Sequence, residues 1–486
     1  MSRTARARLA PAAATLVSLA LVTAGVSAAT ATPEQRPGSG AAGKSSYTQL
    51  TRPAAKKDYV KVDLLAINDF HGQLEPVAAT SSSGRINNTP AGGAAYLARL
   101  LKDERARSRA AGAVPLTVAA GDLIGATPLL SGAFHDEPTI KAMNLLGLQV
   151  ASVGNHEFDE GWRELRRMQN GGCLADGPDG AAGANSCPGD QGFDGADFQY
   201  LAANVEWDDG KQHARDTIFP ATKVMKVRGE KVAFIGMTLE ATPDIVTAAG
   251  VEGLRFTDEV ATANALVPQL RKRGVKSIVV LLHEGAEPAD RTAYNDCSTV
   301  TGPAVEIAER LSPAIDAVVS GHSHLAYNCV VEDPKGQPRL LTSAMSIGRM
   351  LTKIHLLIDP ETHDVVRPAA HASNLIARND ESVRPVSTVQ SLIDTYKTLV
   401  APIENEVVGH IEPGTSVSRT QAADGESPLG NLIADAQLAD ATTVETGAAG
   451  RTGVAPVIAL MNPGGIRADL LENGAGDVTY GAAFTV

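Results

Sequence analysis

The chain has 486 residues, more than one ordinary hydrophobic core accommodates, so two domains are expected. Its 43% apolar and 20% charged content excludes an intrinsically disordered chain, and with aromatics at 4% the cores must rely on aliphatic side chains. The formal net charge of −12 disfavours a nucleic acid polymer as partner, because such binding rests on Lys and Arg neutralising phosphates; a small anion stays admissible where a local cation offsets the field.

Residues 1–31 read as a signal peptide. Arg3, Arg6 and Arg8 form a basic start, a small-and-apolar stretch runs from Leu9 to Ala29, and both Val26-Ser27-Ala28 and Ala29-Thr30-Ala31 fit small-x-small cleavage. Pro11, Thr15, Ser18 and Thr23 interrupt the apolar stretch, which argues against a retained anchor, and no later run is long enough to span a bilayer. The expected product is therefore secreted, with cell wall association open, and has no stable membrane span. Removal of the segment takes the charge to −15. Residues 32–57, rich in Pro, Gly, Ser and Lys without periodicity, read as a flexible leader.

From Tyr59 onward short aliphatic runs alternate with helical stretches, the pattern of an α/β fold. Helices are expected over 95–109, 258–273 (despite Pro268) and 303–311. The aliphatic runs end informatively. Val60–Ile67 leads into Asn68-Asp69-Phe70-His71, Val114–Ala120 into Gly121-Asp122, and Val150–Val153 into Gly154-Asn155-His156-Glu157. Ser277–Leu282 leads into His283-Glu284-Gly285, and Ile315–Val319 into Ser320-Gly321-His322-Ser323-His324. In open α/β sheets ligands bind outside the carboxyl ends of strands, so five such ends would build one site. Four cysteines without a C-x-x-C pair favour two disulfides in an exported chain over a zinc cluster. Three pairings are open; joining sequence neighbours gives Cys173–Cys187 and Cys297–Cys329.

Residues 376–406 are expected to form a linker containing a polar-faced helix, 385–405. A second α/β domain is expected over 407–486, with Gly430-Asn431-Leu432-Ile433-Ala434-Asp435 and a strand, Val454–Met461, that runs into Asn462-Pro463-Gly464-Gly465-Ile466-Arg467. Eighty residues are few for an independent core, so this domain is expected to be incomplete.

Two divalent metals need several N and O donors and a bridging oxygen. Asp122, after a strand and a glycine, is the candidate bridge. Asp69 and His71, and likewise His322 and His324, alternate in what the sequence presents as extended segments and so face one way. Asn155 offers a carbonyl oxygen and His283 a further imidazole. A lone histidine at a strand end is usually hydrogen-bonded structure, but five of the eleven histidines (His71, His156, His283, His322 and His324) lie in these segments beside two Asp and one Asn. Mixed Asp/Asn/His ligation suits Mn, Zn, Fe or Co better than Ca or Mg.

N-D-F-H-G at 68–72, G-D at 121–122, G-N-H-E-F-D at 154–159, H-E-G at 283–285 and G-H-S-H at 321–324 resemble the calcineurin-like metallophosphoesterases. With the second-domain elements the chain is similar, over residues 60–486, to the bacterial 5′-nucleotidase/UDP-sugar hydrolase/2′,3′-cyclic phosphodiesterase family. The resemblance implies a two-sheet αββα sandwich over 58–375 and a second, truncated α/β domain. It implies two divalent metal ions, one held by Asp69, His71, Asp122 and His324, the other by Asp122, Asn155, His283 and His322. Some relatives carry Gln at the position of His324. His156 would act on the phosphoryl or leaving oxygen, with Asp159 orienting its ring as the second member of a catalytic pair. Arg467 and Asn431 would contact substrate. The family's usual continuation beyond T-Y-G-x-x-F, with its base-stacking aromatic pair, is absent. The implied activity is release of phosphate from nucleoside 5′-monophosphates. Cyclic-nucleotide or UDP-sugar hydrolysis is the alternative of the same class, and a non-catalytic exported nucleotide-binding protein that of another.

Overall fold

In the computed structural model the described residues are 58–174, 186–190, 192–439, 457–461, 465–466 and 468–486. The expected signal peptide and leader, residues 1–57, lie outside them, as does Arg467. The longer elements, numbered in chain order, begin with β1 (Val60–Ile67), α1 (Ala94–Ala110), β2 (Val114–Ala120), α2 (Glu137–Leu146), β3 (Val150–Ser152), α3 (Trp162–Asn170) and β4 (Gln199–Leu201). There follow β5 (Thr222–Val227), β6 (Glu230–Thr238), α4 (Glu259–Lys272), β7 (Ser277–His283), α5 (Pro303–Arg310), β8 (Ala317–Ser320), β9 (Ala326–Glu332) and β10 (Pro338–Ala344). The first unit closes with β11 (Met350–Asp359), β12 (His371–Ile376) and α6 (Ser387–Glu404). The strands and helices expected from sequence are present with ends within two residues, apart from the second-domain strand treated below.

Two sheets stand face to face. One runs β11-β1-β2-β3-β4, with β12 and the two-residue strand Asp364–Val365 also paired to β11; the other runs β9-β10-β8-β7-β6-β5. Strands β1 to β4 are mutually parallel, as are β6, β7, β8 and β10. Period-two alternation divides each central strand between two cores. Leu64, Ala66, Val118 and Ala120 meet Phe234, Val279, Leu281 and Val319 between the sheets. On the outer face of the first sheet, Leu65, Ile67 and Ala119 share a core with Leu97 and Leu101 of α1 and Ile140 and Met143 of α2. On the outer face of the second, Ile278, Val280 and Leu282 pack with Val260, Ala263 and Val267 of α4 and Ile307 of α5. The result is the αββα sandwich.

Helix α6 buries Val389, Ile393, Tyr396 and Val400 in the same core as α1 and α2, with Tyr396 edge-on to Phe134 at 5.1 Å. The segment read as a linker is thus docked on the sandwich. Beyond it, β13 (Val407–His410) pairs antiparallel with β14 (Asp477–Thr479), and α7 (Pro428–Ala439) contributes Leu429 to a small core with Ile466, Leu470 and Val478. The strand expected at Val454–Met461 is not found: residues 457–461 are irregular, and Val457, Ile458 and Leu460 are exposed. Residues 454–456 lie outside the described residues. An apolar run becomes a strand only where a ladder receives it, and among the described residues none pairs with this one. No helix of the described residues is long and apolar enough to cross a membrane. Cys173 is bonded to Cys187 and Cys297 to Cys329, with Cα separations of 5.6 and 5.0 Å.

One buried charge outside the strand ends is closely held. The Asp63 carboxylate of β1 accepts from Ser108 Oγ (2.5 Å) and His355 Nδ1 (2.5 Å) and pairs with Lys353 (3.2 Å). Burial alone would raise its pKa, but these partners bring it from 3.8 to about 2. A depressed folded-state pKa contributes stability that is present above the unfolded value and lost as pH falls through the folded one. Asp63→Asn should therefore cost about 1–2 kcal/mol at pH 7, allowing for solvent screening, and nothing below pH 2. Urea unfolding at pH 7 and pH 3 checks this: the gap between variant and wild type must narrow on acidification.

Candidate metal centre

The parallel strands of both sheets end at one edge of the sandwich, and there the chain turns sharply. Asp69, His71, Asp122, His322 and His324 all have φ between 48° and 69°. This corrects the extended geometry expected from sequence. Each of the paired donors is itself left-handed, a conformation that costs a non-glycine residue about 1–2 kcal/mol. Tertiary bonds impose it. Asp69 N–H donates to Gly121 O (3.1 Å), His71 N–H to Asp122 O (3.0 Å), Ile347 N–H to Asp69 O (2.6 Å) and His322 N–H to Asp69 Oδ1 (2.9 Å). The loops touch through glycine: a Cβ on Gly154 would lie 2.2 Å from Asp122 Oδ1, and one on Gly121 2.5 Å from His283 Nδ1.

All seven residues expected to hold metal are brought together. Donor atoms of Asp69, His71, Asp122 and His324 lie within 4.8 Å of one another, and so do those of Asp122, His283 and His322. Asn155 Oδ1 is 3.1 Å from His283 Nε2 and 3.0 Å from His322 Nδ1. Asp122 belongs to both groups. Asp69, Asp122 and His283 are at most 1% exposed.

Backbone carbonyls fix the key rings. His71 Nδ1 donates to Gly125 O (3.0 Å) and His283 Nδ1 to Ala120 O (2.8 Å), so in the neutral rings both Nε2 lone pairs point inward. There His283 Nε2 lies 3.0 Å from Asp122 Oδ2, and His71 Nε2 2.9 Å from His324 Nε2. Acceptors at this range need protons or cations between them. Without metal, protons are held unevenly across the cluster. Burial and the Asp122 charge push Asp69 up to about 7, and His283, which burial would lower, is pushed up to about 10 by Asp122. Burial opposes ionisation of Asp122 as well, yet His283 and His156 hold it well below the carboxylate range. Burial lowers His71 to about 3. The donor set fits two divalent metals, which would replace those protons.

His156 stands at the rim. Its backbone N–H donates to Asp122 Oδ1 (3.0 Å), its Nδ1 to Asp159 Oδ2 (2.7 Å), and its side chain is 20% exposed. Burial would lower its pKa, but Asp122 and Asp159 raise it to about 9. Asn431, exposed on α7, bonds Glu426 Oε2 (3.1 Å). Sequence reasoning missed the carbonyls of Ala120 and Gly125 and the amide of Ile347, backbone groups that leave no side-chain signature. It also assigned no role to Glu157, although that residue lay within a motif it singled out.

The sequence pattern of the family described as calcineurin-like phosphoesterase matches residues 62–326, more than half of the chain, and includes every one of these donors. The chain belongs to the calcineurin-like phosphoesterases. That family is one of phosphoric ester hydrolases that use divalent metals. Residues 407–486 match the 5′-nucleotidase C-terminal domain. The chain is 30% identical over 437 residues to Endonuclease YhcR of Bacillus subtilis, spanning 90% of this chain and 32% of that protein. It is 32% identical over 460 residues to Cell wall protein Lmo0130 of Listeria monocytogenes, spanning 90% and 54%. It thus covers about a third and about half of the lengths of these two curated relatives. The crystal structure of a 5′-nucleotidase precursor from Thermus thermophilus superposes with a TM-score of 0.61 at 25% identity, covering 88% of this chain and 73% of that one.

Sharing of Asp122 by both donor groups predicts unequal losses on substitution. Asp122→Ala should lose both equivalents of bound Mn²⁺, and His324→Ala only one. Calorimetric titration measures both stoichiometries; equal losses would show that the two groups are a single site.

Proposed function

We propose that the chain is an exported two-metal hydrolase that releases phosphate from nucleoside 5′-monophosphates. The carrying observation is the pair of donor groups joined at Asp122, with His156 and Asp159 beside them. Asp69, His71, Asp122 and His324 would hold one metal, and Asp122, Asn155, His283 and His322 the other. Bound divalent metals of this kind lower the pKa of water and offset phosphate charge. The chain's own part is positioning and proton control. Asp159, accepting from Nδ1, fixes the His156 ring so that Nε2 is the atom available to a phosphoryl oxygen or to the leaving oxygen. His156 stands at the rim beside the buried Asp69, Asp122 and His283, a placement that suits a group that touches substrate. Arg467 and Asn431 are assigned to substrate binding by resemblance alone.

The nucleotide assignment draws on the match to the 5′-nucleotidase C-terminal domain. Export draws on the N-terminal sequence, on two disulfides, and on the relative named as a cell wall protein. Hydrolysis of phosphodiesters, including cyclic nucleotides, is the second reading, favoured by the relative named as an endonuclease.

The test is phosphate release from AMP and nitrophenol release from bis-p-nitrophenyl phosphate, metal-free and with Mn²⁺. The expected result is metal-dependent release, faster with AMP. His156→Ala should lower kcat on the order of 10²–10⁴-fold while leaving metal stoichiometry intact. Faster turnover of the diester would replace the first reading by the second. No turnover of either by folded, metal-loaded protein would overturn both.

A further inference from the structure

Beyond the β2–β3 ladder, whose last pair is Ala120 with Ser152, the loops carrying Asp122 and Asn155 must be held by something else. Their backbones touch at Gly121 and Gly154, where no side chain fits. The Asp122 carboxylate provides one link, accepting from His156 N–H (3.0 Å), but it also belongs to the donor set. Glu157 supplies the anchor. It is 2% exposed and follows His156 in a short 3₁₀ turn, His156–Phe158. Its Oε2 accepts from Asp122 N–H (2.9 Å) and Gly154 N–H (2.5 Å), and its Oε1 from Leu123 N–H (2.8 Å). One carboxylate therefore gathers three amides from two strand-end loops, and both of its oxygens are engaged away from the donor cluster.

We propose that Glu157 is a positioning residue: by joining these loops it sets the separation of Asp122 and Asn155 and thereby the metal affinity of the centre. The inference rests on the metal reading above. Buried amides without acceptors are expensive, so the loops close on this carboxylate wherever it is present. Glutamine at this position offers one acceptor oxygen, and its NH₂ group would face at least one N–H. The loops would then part by relaxation at the Gly121–Gly154 contact, moving Asp122, which serves both metals, relative to Asn155, which serves one. Groups that orient ligands in this way typically change metal affinity about 10- to 100-fold when removed.

Calorimetric titration of Mn²⁺ into the full chain tests this with wild type, Glu157→Gln, Glu157→Asp and Asp316→Asn. Asp316 is another buried carboxylate, which accepts from Ile278 N–H in the second sheet. Glu157→Gln should weaken Mn²⁺ binding about 10- to 100-fold with unchanged circular dichroism, and phosphate release should recover at saturating Mn²⁺. Glu157→Asp keeps the charge but is one methylene too short, and should weaken binding severalfold; it decides the matter if Glu157→Gln does not fold. Asp316→Asn should lower the melting temperature and leave Mn²⁺ affinity unchanged. Wild-type affinity in either folded Glu157 variant, or an equal loss in Asp316→Asn, would overturn the inference alone. A wild-type chain that binds no Mn²⁺ would overturn the metal reading and this inference with it.

Discussion

The Asp122 carboxylate is sealed from water, yet lies within ligand distance of donors from both sheets. A buried anion is tolerable only with compensating charge and well-placed hydrogen bonds, and that requirement organises this end of the molecule. The imidazoles of His283 and His71 and the amide of His156 all answer to it. They can do so only because parallel strands in two facing sheets finish at the same edge. The aliphatic cores below are, in this sense, the scaffold for one charge.

Much of this was legible because hydrophobic burial is written one residue at a time. The runs Val60–Ile67 and Val114–Ala120 become apolar on both faces towards their C-terminal ends, where a second sheet and a helix layer cover them, and both coincide with the observed strands. The donors could be read because each stood where an apolar run stopped. The left-handed backbone could not be read, since Asp and His have no strong preference for it and the bonds that impose it come from distant residues such as Ile347. Nor could docking of α6: a helix with one apolar stripe looks the same in sequence whether it faces a domain or bridges two. The run ending at Met461 failed for the complementary reason. Its composition suits a strand, but strand formation depends on a partner that composition does not disclose.

Because His283, His322 and His324 come from the second sheet and Asp69, His71, Asp122 and Asn155 from the first, a filled centre would span the interface between the layers. Anything that binds the folded chain and not the unfolded one shifts the folding equilibrium towards the folded state. Metal would therefore act on the packing of the sandwich as well as on the reaction. The same placement reconciles an acidic chain with an anionic substrate. Net charge governs encounter over distances comparable to the Debye length, whereas the potential at the site is set by what lies within a few ångströms of Asp122.

Five donors with left-handed backbone carry a consequence for how such a chain can change over evolutionary time. Glycine at these positions would relieve backbone strain of up to about 1–2 kcal/mol per residue while abolishing a ligand. Selection for stability and selection for the chemistry thus pull in opposite directions at the same five residues. A lineage released from the need for metal would gain by drifting towards Gly there first, before its hydrophobic cores changed. Loss of function in this fold would leave its earliest trace in the backbone preferences of the strand-end loops.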